Sequence, residues 1–231
     1  MRAALAAALV LLSALAFAQA PEEQLFAAID AAKEVVAEGI LARGRLNLNV
    51  RNAERETPLH RAIEKNMKTL TAQLVKAGAP LAARSQHGET PLHYAALHAD
   101  PVYVELLLAA GADPKLRNDD GESPLQWAAL TGNTATALVL LERGAEPGAR
   151  DLKGNTPLHA AADGDHVALA KLLLARGLDP KERNREGKSA LDYARERGNA
   201  ELVKLLEQPV ATQGFQVLDP DDPRHIRFER Q

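Results

Sequence analysis

The sequence predicts an all-α repeat solenoid, and three observations support that prediction. A Thr-Pro-Leu-His motif or a variant of it begins at residues 57, 90, 123, 156 and 189, so successive starts are always 33 residues apart. Glycines at 78, 111, 144 and 177 keep the same step. The chain is 46% hydrophobic but only 3% aromatic, which indicates a core of alanine and leucine. A fixed period of this length is typical of stacked helix pairs.

The repeat at residues 85–117 shows why each unit forms a helix pair. Thr90 is a favoured N-cap residue, and Pro91 then falls at the first helical position, where a missing N–H costs nothing. Leu92 and the alanines at 95 and 96 supply the apolar face of a first helix. A second, more apolar helix follows, and Gly111 ends it. A turn-rich link leads to the next motif.

Thr-Pro-Leu-His at a period of 33 residues resembles the ankyrin repeat. The resemblance implies helix pairs joined by β-turn and hairpin loops, with capping repeats at both ends. It also implies a protein partner that meets the turn tips and the concave side of the first helices. The fold by itself does not identify that partner.

Residues 1–20 are predicted to be a signal peptide. Arg2 precedes an uncharged apolar run, and Ala18-Gln19-Ala20 fits the A-x-A cleavage pattern. The run is shorter than the roughly 20 residues that a spanning helix needs, which favours cleavage over an uncleaved anchor. We therefore expect a mature chain that begins at Pro21, is exported to the periplasm or secreted, and has no stable membrane insertion.

The remaining chain divides into three parts. Residues 21–51 are predicted to form an N-terminal capping helix pair that buries Leu25, Phe26, Ile29, Val35, Val36, Ile40 and Leu41. Residues 52–207 hold four full repeats and a C-terminal capping repeat, and the first of them has Arg55 where other turns have glycine, which predicts a looser turn. The tail, residues 208–231, carries strand-like runs at 215–218 and 226–228, and it either ends freely or docks against the last repeat.

A metal or catalytic site finds little support in the sequence. His159, Asp163, Asp165 and His166 lie close together, but His159 occupies the histidine position of the motif, as His60 and His93 do. The resemblance implies a hydrogen-bonded structural histidine there. No phosphate loop or nucleophile elbow is present, and the chain has no cysteine. We therefore expect no catalytic residue, no metal and no cofactor.

The charge pattern argues against a nucleic-acid partner. The formal net charge is −3, and no cluster of basic residues could follow a phosphate backbone. One basic series does recur, with an arginine just before each turn at 51, 84, 117, 150 and 183. It could form a basic stripe for an anionic partner, but a repeat-position residue neutralised by nearby acids is the favoured interpretation.

A candidate partner-binding surface follows from the turn tips and the first helices. Leu97 and Leu130 are out of pattern, because the equivalent positions in other repeats are Glu64, Asp163 and Glu196. An unpaired buried carboxylate is costly, so these positions are predicted to be exposed. Leucines beside aromatic residues and rimmed by acids are typical of an interface centre. The predicted partner-binding residues are Gln86, His87, Glu89, Tyr94, Leu97, Asp119, Asp120, Glu122, Trp127, Leu130, Leu152 and Lys153.

The sequence thus predicts an exported, monomeric, non-enzymatic scaffold that binds another protein in the cell envelope. A second hypothesis is a protective or inhibitory partner of a periplasmic toxin or stress enzyme. A third, an enzyme or metal-binding protein, has no motif to support it.

Overall fold

The structure is a computed structural model that describes residues 20–44 and 46–208. The predicted signal sequence before Ala20 and the strand-like runs of the tail lie outside these residues. The described part forms twelve α helices: α1 (Pro21–Asp30), α2 (Glu34–Leu41), α3 (Pro58–Glu64), α4 (Lys68–Lys76), α5 (Pro91–Ala96), α6 (Val102–Ala109), α7 (Pro124–Thr131), α8 (Thr134–Glu142), α9 (Pro157–Asp163), α10 (Val167–Ala175), α11 (Ala190–Arg197) and α12 (Ala200–Glu207). None of these helices is both long and apolar enough to cross a bilayer.

The helices stack in two rows, and the predicted all-α solenoid is confirmed. Each odd-numbered helix packs on the next odd-numbered one, forming a first row, and the even-numbered helices form a second row in the same way. Within the described residues, β structure is limited to one isolated bridge, between Arg183 and Ser189.

Alanine sets the spacing of the first row. The same repeat position is a completely buried alanine in five consecutive first-row helices, and a methyl group lets neighbouring helices approach closely. Leucines of the motif fill the space beside them, which explains how a core forms with few aromatic rings. The five alanines are Ala62, Ala95, Ala128, Ala161 and Ala194.

Local signals determine where each helix begins and ends. Thr90 has extended backbone angles (φ −97°, ψ 165°), and Pro91 begins α5 directly after it. The second helix of the same repeat, α6, ends shortly before Gly111, whose φ of +95° suits a residue without a side chain. The sequence therefore specifies both ends of the pair by backbone chemistry.

The turn tips are joined to one another along the stack. In each of four steps, a main-chain N–H at one tip donates to a main-chain carbonyl of the preceding tip, at 2.8–2.9 Å. These bonds hold the tips in line and fix their register from repeat to repeat. The pairs are Gln86 with Glu54, Asp119 with His87, Leu152 with Asp120, and Arg185 with Lys153.

The turn at Arg55 is as tight as the others, so the predicted looser turn is wrong. Arg55 adopts φ +59°, the left-handed conformation that Gly88 and Gly121 adopt in the following turns. Its N–H donates to the carbonyl of Asn52 at 3.0 Å, as the Gly121 N–H does to Asn118. The turn hydrogen bonds therefore outweigh the cost of about 1–2 kcal/mol for a side chain in this conformation.

The N-terminal pair buries less than the sequence predicted. Ala37 and Ile40 of α2 are buried, because this side of the helix faces α4. Val35 and Val36 are instead 81% and 52% exposed, so their predicted burial is wrong. They lie on the more exposed side of α2.

Candidate protein-binding surface

The motif histidines connect neighbouring repeats. The Thr90 N–H donates to Nδ1 of His93 at 3.1 Å, and Nε2 of His93 lies 3.1 Å from the carbonyl oxygen of Glu122. Because Nδ1 accepts, Nε2 carries the proton and donates to that carbonyl. His60 and His159 repeat this arrangement with Glu89 and Lys188.

Burial keeps these imidazoles neutral. It lowers the pKa of His60 and of His93 to about 4, and it lowers the pKa of His159. In the third repeat Gln126 takes the histidine position, and its Nε2 donates to the Asn155 carbonyl at 2.9 Å. The position therefore requires hydrogen bonds and not a titrating group, which confirms the structural interpretation.

The arginine series also links repeats. The Arg84 guanidinium donates to the main-chain carbonyl of Arg117 at 3.0 Å, and Arg117 donates in turn to Arg150 at 2.6 Å. Arg84 is further paired with Asp119 at 2.9 Å. These guanidinium groups are held by carbonyls and acids of the protein itself, which favours a structural role over a basic stripe.

From the second repeat to the fifth, aromatic residues form a row on the first helices, with one interruption; the first repeat has Arg61 at the equivalent position. Tyr94 and Trp127 are half-buried, their ring centroids are 6.2 Å apart, and each is anchored to a carboxylate. The Tyr94 hydroxyl donates to Glu56 at 2.5 Å, and Trp127 Nε1 donates to Glu122 at 2.8 Å. The next position in the series is alanine, Ala160, and the one after it is again tyrosine.

Three leucines on this side of the molecule are exposed. Leu97 is 44% and Leu130 is 54% exposed, so their predicted exposure is confirmed. Leu152, on a turn tip, is 57% exposed. We call these three residues the leucine surface. Exposed leucines occur on many proteins, but Leu97 and Leu130 stand where other repeats have carboxylates, so they add apolar area at a position that tolerates polar residues.

A groove of about 270 Å³ lies between the third, fourth and fifth repeats, and Leu130 and Leu152 of the leucine surface form part of its walls. Its walls come from first-row helices and from two turn tips, and its lining mixes carboxylates with apolar side chains. The lining residues are Asp120, Glu122, Gln126, Leu130, Asp151, Leu152, Lys153, Asn155, His159, Ala160, Asp163 and Tyr193.

A family model described as ankyrin repeats (three copies) matches the chain at residues 25–118, 83–151, 98–184 and 137–213. Together these matches span residues 25–213, most of the chain. The chain belongs to the ankyrin-repeat family. A comparison with curated proteins finds no match. Ankyrin repeats generally mediate protein–protein interaction, and ankyrin-repeat proteins are typically non-enzymatic scaffolds.

Within this ankyrin-repeat protein, the four residues considered for a metal site have separate partners. His159 is bound to main chain, and Asp163 is paired with Arg197 at 2.6 Å. Asp165 accepts from Asn199, and Nε2 of His166 lies 3.0 Å from the Leu130 carbonyl. No group of three or more His, Asp or Glu side chains suited to a metal ion occurs among the described residues.

The ankyrin turn tips carry most of the other predicted residues. Five are exposed there: Gln86, His87, Asp119, Asp120 and Lys153. Glu122 is half-buried against Trp127. Glu89 differs from the prediction, because it is only 9% exposed and its carboxylate accepts from the Ser85 hydroxyl inside the turn.

The groove brings together only part of the predicted set. Asp120, Glu122, Leu130, Leu152 and Lys153 line it, whereas Tyr94 and Leu97 lie in the preceding repeat. The lining residues absent from the predicted set are Gln126, Asp151, Asn155, His159, Ala160, Asp163 and Tyr193. The sequence holds only a weak signal for them, the alanine at 160 between the aromatic residues at 127 and 193 of the 33-residue series.

Proposed function

We propose that this ankyrin-repeat protein binds another protein through the first-row helices and the turn tips, and that the leucine surface lies at the centre of the contact. The exposure of Leu97 and Leu130 is the observation that carries the proposal. Fully burying an exposed leucine side chain is worth about 1.5–3 kcal/mol. About half of each of these two side chains is still exposed, so burying the rest contributes about half of that to a complex. The rim supplies carboxylates, such as Asp119 and Asp120 on a turn tip.

A rigid surface supports this function without a chemical step. Main-chain bonds between successive tips, together with the histidine and arginine links, keep neighbouring repeats in register. A surface that is already ordered loses little conformational entropy on binding, which favours affinity. Binding, with no bond made or broken, is therefore the whole proposed activity.

We further propose that the protein acts in the cell envelope after export. The basis is Arg2, the apolar run and Ala18-Gln19-Ala20, all in the sequence of residues 1–20. N-terminal sequencing of the protein from its native host is the measurement that tests this proposal.

The binding proposal is tested with the double variant Leu97→Arg, Leu130→Arg. Exposed substitutions usually change stability by no more than about 0.5 kcal/mol, so thermal melts of the variant and of the parent should coincide. A partner captured by the parent chain from envelope extract, and identified by mass spectrometry, should be lost. Truncating a residue that is a hot spot of an interface costs about 2 kcal/mol or more, or about thirtyfold in affinity.

The matched control places the same charges on exposed apolar residues elsewhere. The double variant Val35→Arg, Val36→Arg changes α2, which belongs to the second row, and it should capture the partner as the parent does. Equal capture by the leucine variant and by the parent would show that the binding surface lies elsewhere. Unfolding of the leucine variant would show that the two leucines are structural.

A further inference from the structure

From the second repeat to the fifth, the aromatic row of the first helices lacks one ring, in the fourth repeat, and the groove lies there. The equivalent position of the first repeat is Arg61. Positions 94, 127 and 193 carry Tyr, Trp and Tyr, whereas position 160 carries alanine. Ala160 lines the groove, and Tyr193 of the next repeat forms a wall beside it. The groove measures about 270 Å³, and an apolar cavity of about 150 Å³ is enough to hold benzene. The space therefore accommodates an aromatic side chain from outside.

The apolar walls of the groove belong to the leucine surface. Leu130 comes from a first-row helix and Leu152 from a turn tip, and both are more than half exposed. A ring inserted above Ala160 would lie between these leucines and Tyr193. It would remove apolar area of all three residues from water, which is the usual contribution of an aromatic anchor at an interface.

The rim of the groove is negative. Four carboxylates line it against a single lysine, Lys153. Asp163 is already paired with Arg197, but Asp120 forms no ion pair with any other described residue. Its exposed carboxylate is free to accept from a cation. An excess of carboxylates disfavours phosphate groups and acidic segments, and it complements lysine or arginine.

We propose that this groove receives a large apolar side chain, preferably aromatic, from a protein partner that carries lysine or arginine directly beside it. The inference rests on the proposed binding function and adds to it the chemistry of the partner. The ring fills the position that Ala160 leaves open, and the neighbouring cation meets Asp120 on the rim. Leu97 contributes to the same interface one repeat away, outside the groove.

Short peptides serve as probes, because the partner itself is unidentified. The full chain, labelled with ¹⁵N and with ¹³C in its alanine and leucine methyl groups, is titrated with acetyl-Gly-Lys-Phe-Lys-Gly-amide. Saturable shifts are expected at the methyl signals of Ala160, Leu130 and Leu152. Matched peptides with alanine in place of phenylalanine, or glutamate in place of both lysines, should bind about tenfold more weakly or worse. Equal binding of the three peptides, or no shift at these methyl groups with any of them, overturns the proposal.

The variant Ala160→Tyr tests the missing ring directly. The hydroxyl of Tyr94 donates to Glu56, which lies 38 residues before it, and the residue 38 before position 160 is Glu122. Tyrosine at 160 thus has an acceptor available in the same register, so the fold should persist. It should fill the groove and abolish the shifts caused by the Lys-Phe-Lys peptide. Ala160→Ser, which leaves the space open, is the matched control and should bind the peptide as the parent does.

A second variant keeps the test decisive if Ala160→Tyr fails to fold. Asp120→Lys changes an exposed, unpaired side chain, and it should weaken the Lys-Phe-Lys peptide while strengthening the Glu-Phe-Glu peptide. Unchanged preference between the two peptides would remove the electrostatic part of the proposal.

A further variant, Phe228→Ala, addresses the chain's own tail, which also has an aromatic residue next to arginine. If that variant raises peptide affinity about tenfold, the tail occupies the groove and an external partner is excluded.

The proposal for the groove and the proposal for the general binding surface can be rejected independently of each other. Normal partner capture by Ala160→Tyr, together with loss of capture by Leu97→Arg, Leu130→Arg, would reject the groove and retain the proposed function. Peptide binding at the groove, together with normal partner capture by the leucine variant, would retain the groove and reject the proposed binding surface.

Discussion

Acid should destabilise this protein through its buried histidines. Burial lowers the pKa of His60 and of His93 to about 4, whereas an unfolded chain has the ordinary value near 6.5. The folded state therefore favours the neutral imidazole. Its stabilising contribution is complete above pH 6.5 and is lost progressively as the pH falls from 6.5 towards 4.

The size of the effect follows from these pKa values. A pKa lowered from 6.5 to about 4 corresponds to about 3 kcal/mol for each imidazole at full protonation. At pH 5 the unfolded chain is already protonated while the folded chain is not, and about 2 kcal/mol of each contribution is lost. For His60 and His93 together, about 4 kcal/mol should disappear between pH 7 and pH 5. This is a large part of the 5–15 kcal/mol that stabilises a typical domain.

The double variant His60→Gln, His93→Gln isolates this effect. Gln126 shows that glutamine satisfies the position, since its amide donates to the next repeat at 2.9 Å and accepts from the Ser123 N–H at 2.9 Å. Glutamine does not titrate. The variant should therefore lose about 4 kcal/mol less than the parent between pH 7 and pH 5, whatever its stability at pH 7.

Urea unfolding at the two pH values, followed by far-ultraviolet circular dichroism, gives the four free energies needed. Carboxylates titrate in the parent and in the variant alike, so the comparison between the two chains removes their contribution. His87→Gln, at an exposed turn tip, controls for the exchange itself and should follow the parent. If the double variant loses as much stability on acidification as the parent does, the motif histidines are not the acid-sensitive groups.

Two further predictions concern the core and the N-terminus. Leu92→Ala should lower the free energy of unfolding by about 2–5 kcal/mol, because Leu92 is 1% exposed, whereas the exposed Leu97→Ala should stay within about 0.5 kcal/mol in the same urea assay. A neutral Leu92→Ala would mean that the first helix of this repeat is wrongly placed. Sequencing of the protein from its native host should begin at Pro21, and an intact Met1 on cytoplasmic material would contradict export.

The periodic part of this fold was predictable because its causes are local. A threonine or serine cap, a proline at the first helical position and a glycine after the second helix act over a few residues, and they recur every 33. The exposure of Leu97 and Leu130 was predictable for a similar reason. Equivalent positions of different repeats share an environment, so a carboxylate at one of them indicates that the others are exposed to solvent.

Features that depend on contacts between repeats were harder to predict. The burial of Glu89 depends on how its turn folds around Ser85, and the tight turn at Arg55 depends on hydrogen bonds that outweigh a backbone preference. The exposure of Val35 depends on which side of α2 faces α4. The groove depends on the absence of a ring at Ala160. An alanine is not unusual in an alanine-rich sequence, and only the positions of the surrounding residues in the structure show the space beside it.

The histidine, arginine and turn-tip links between repeats end on main-chain carbonyls, whereas other links, such as Tyr94 to Glu56, end on side chains. The imidazole of His93 donates to the carbonyl of Glu122, Arg84 donates to that of Arg117, and the turn-tip amides do the same. Every residue has such a carbonyl, so these histidine, arginine and turn-tip links do not depend on which side chain the accepting residue carries. The side chains of the accepting residues can therefore be substituted without breaking these hydrogen bonds. In evolution or in protein engineering, single substitutions can therefore build a new recognition surface step by step while the fold stays the same.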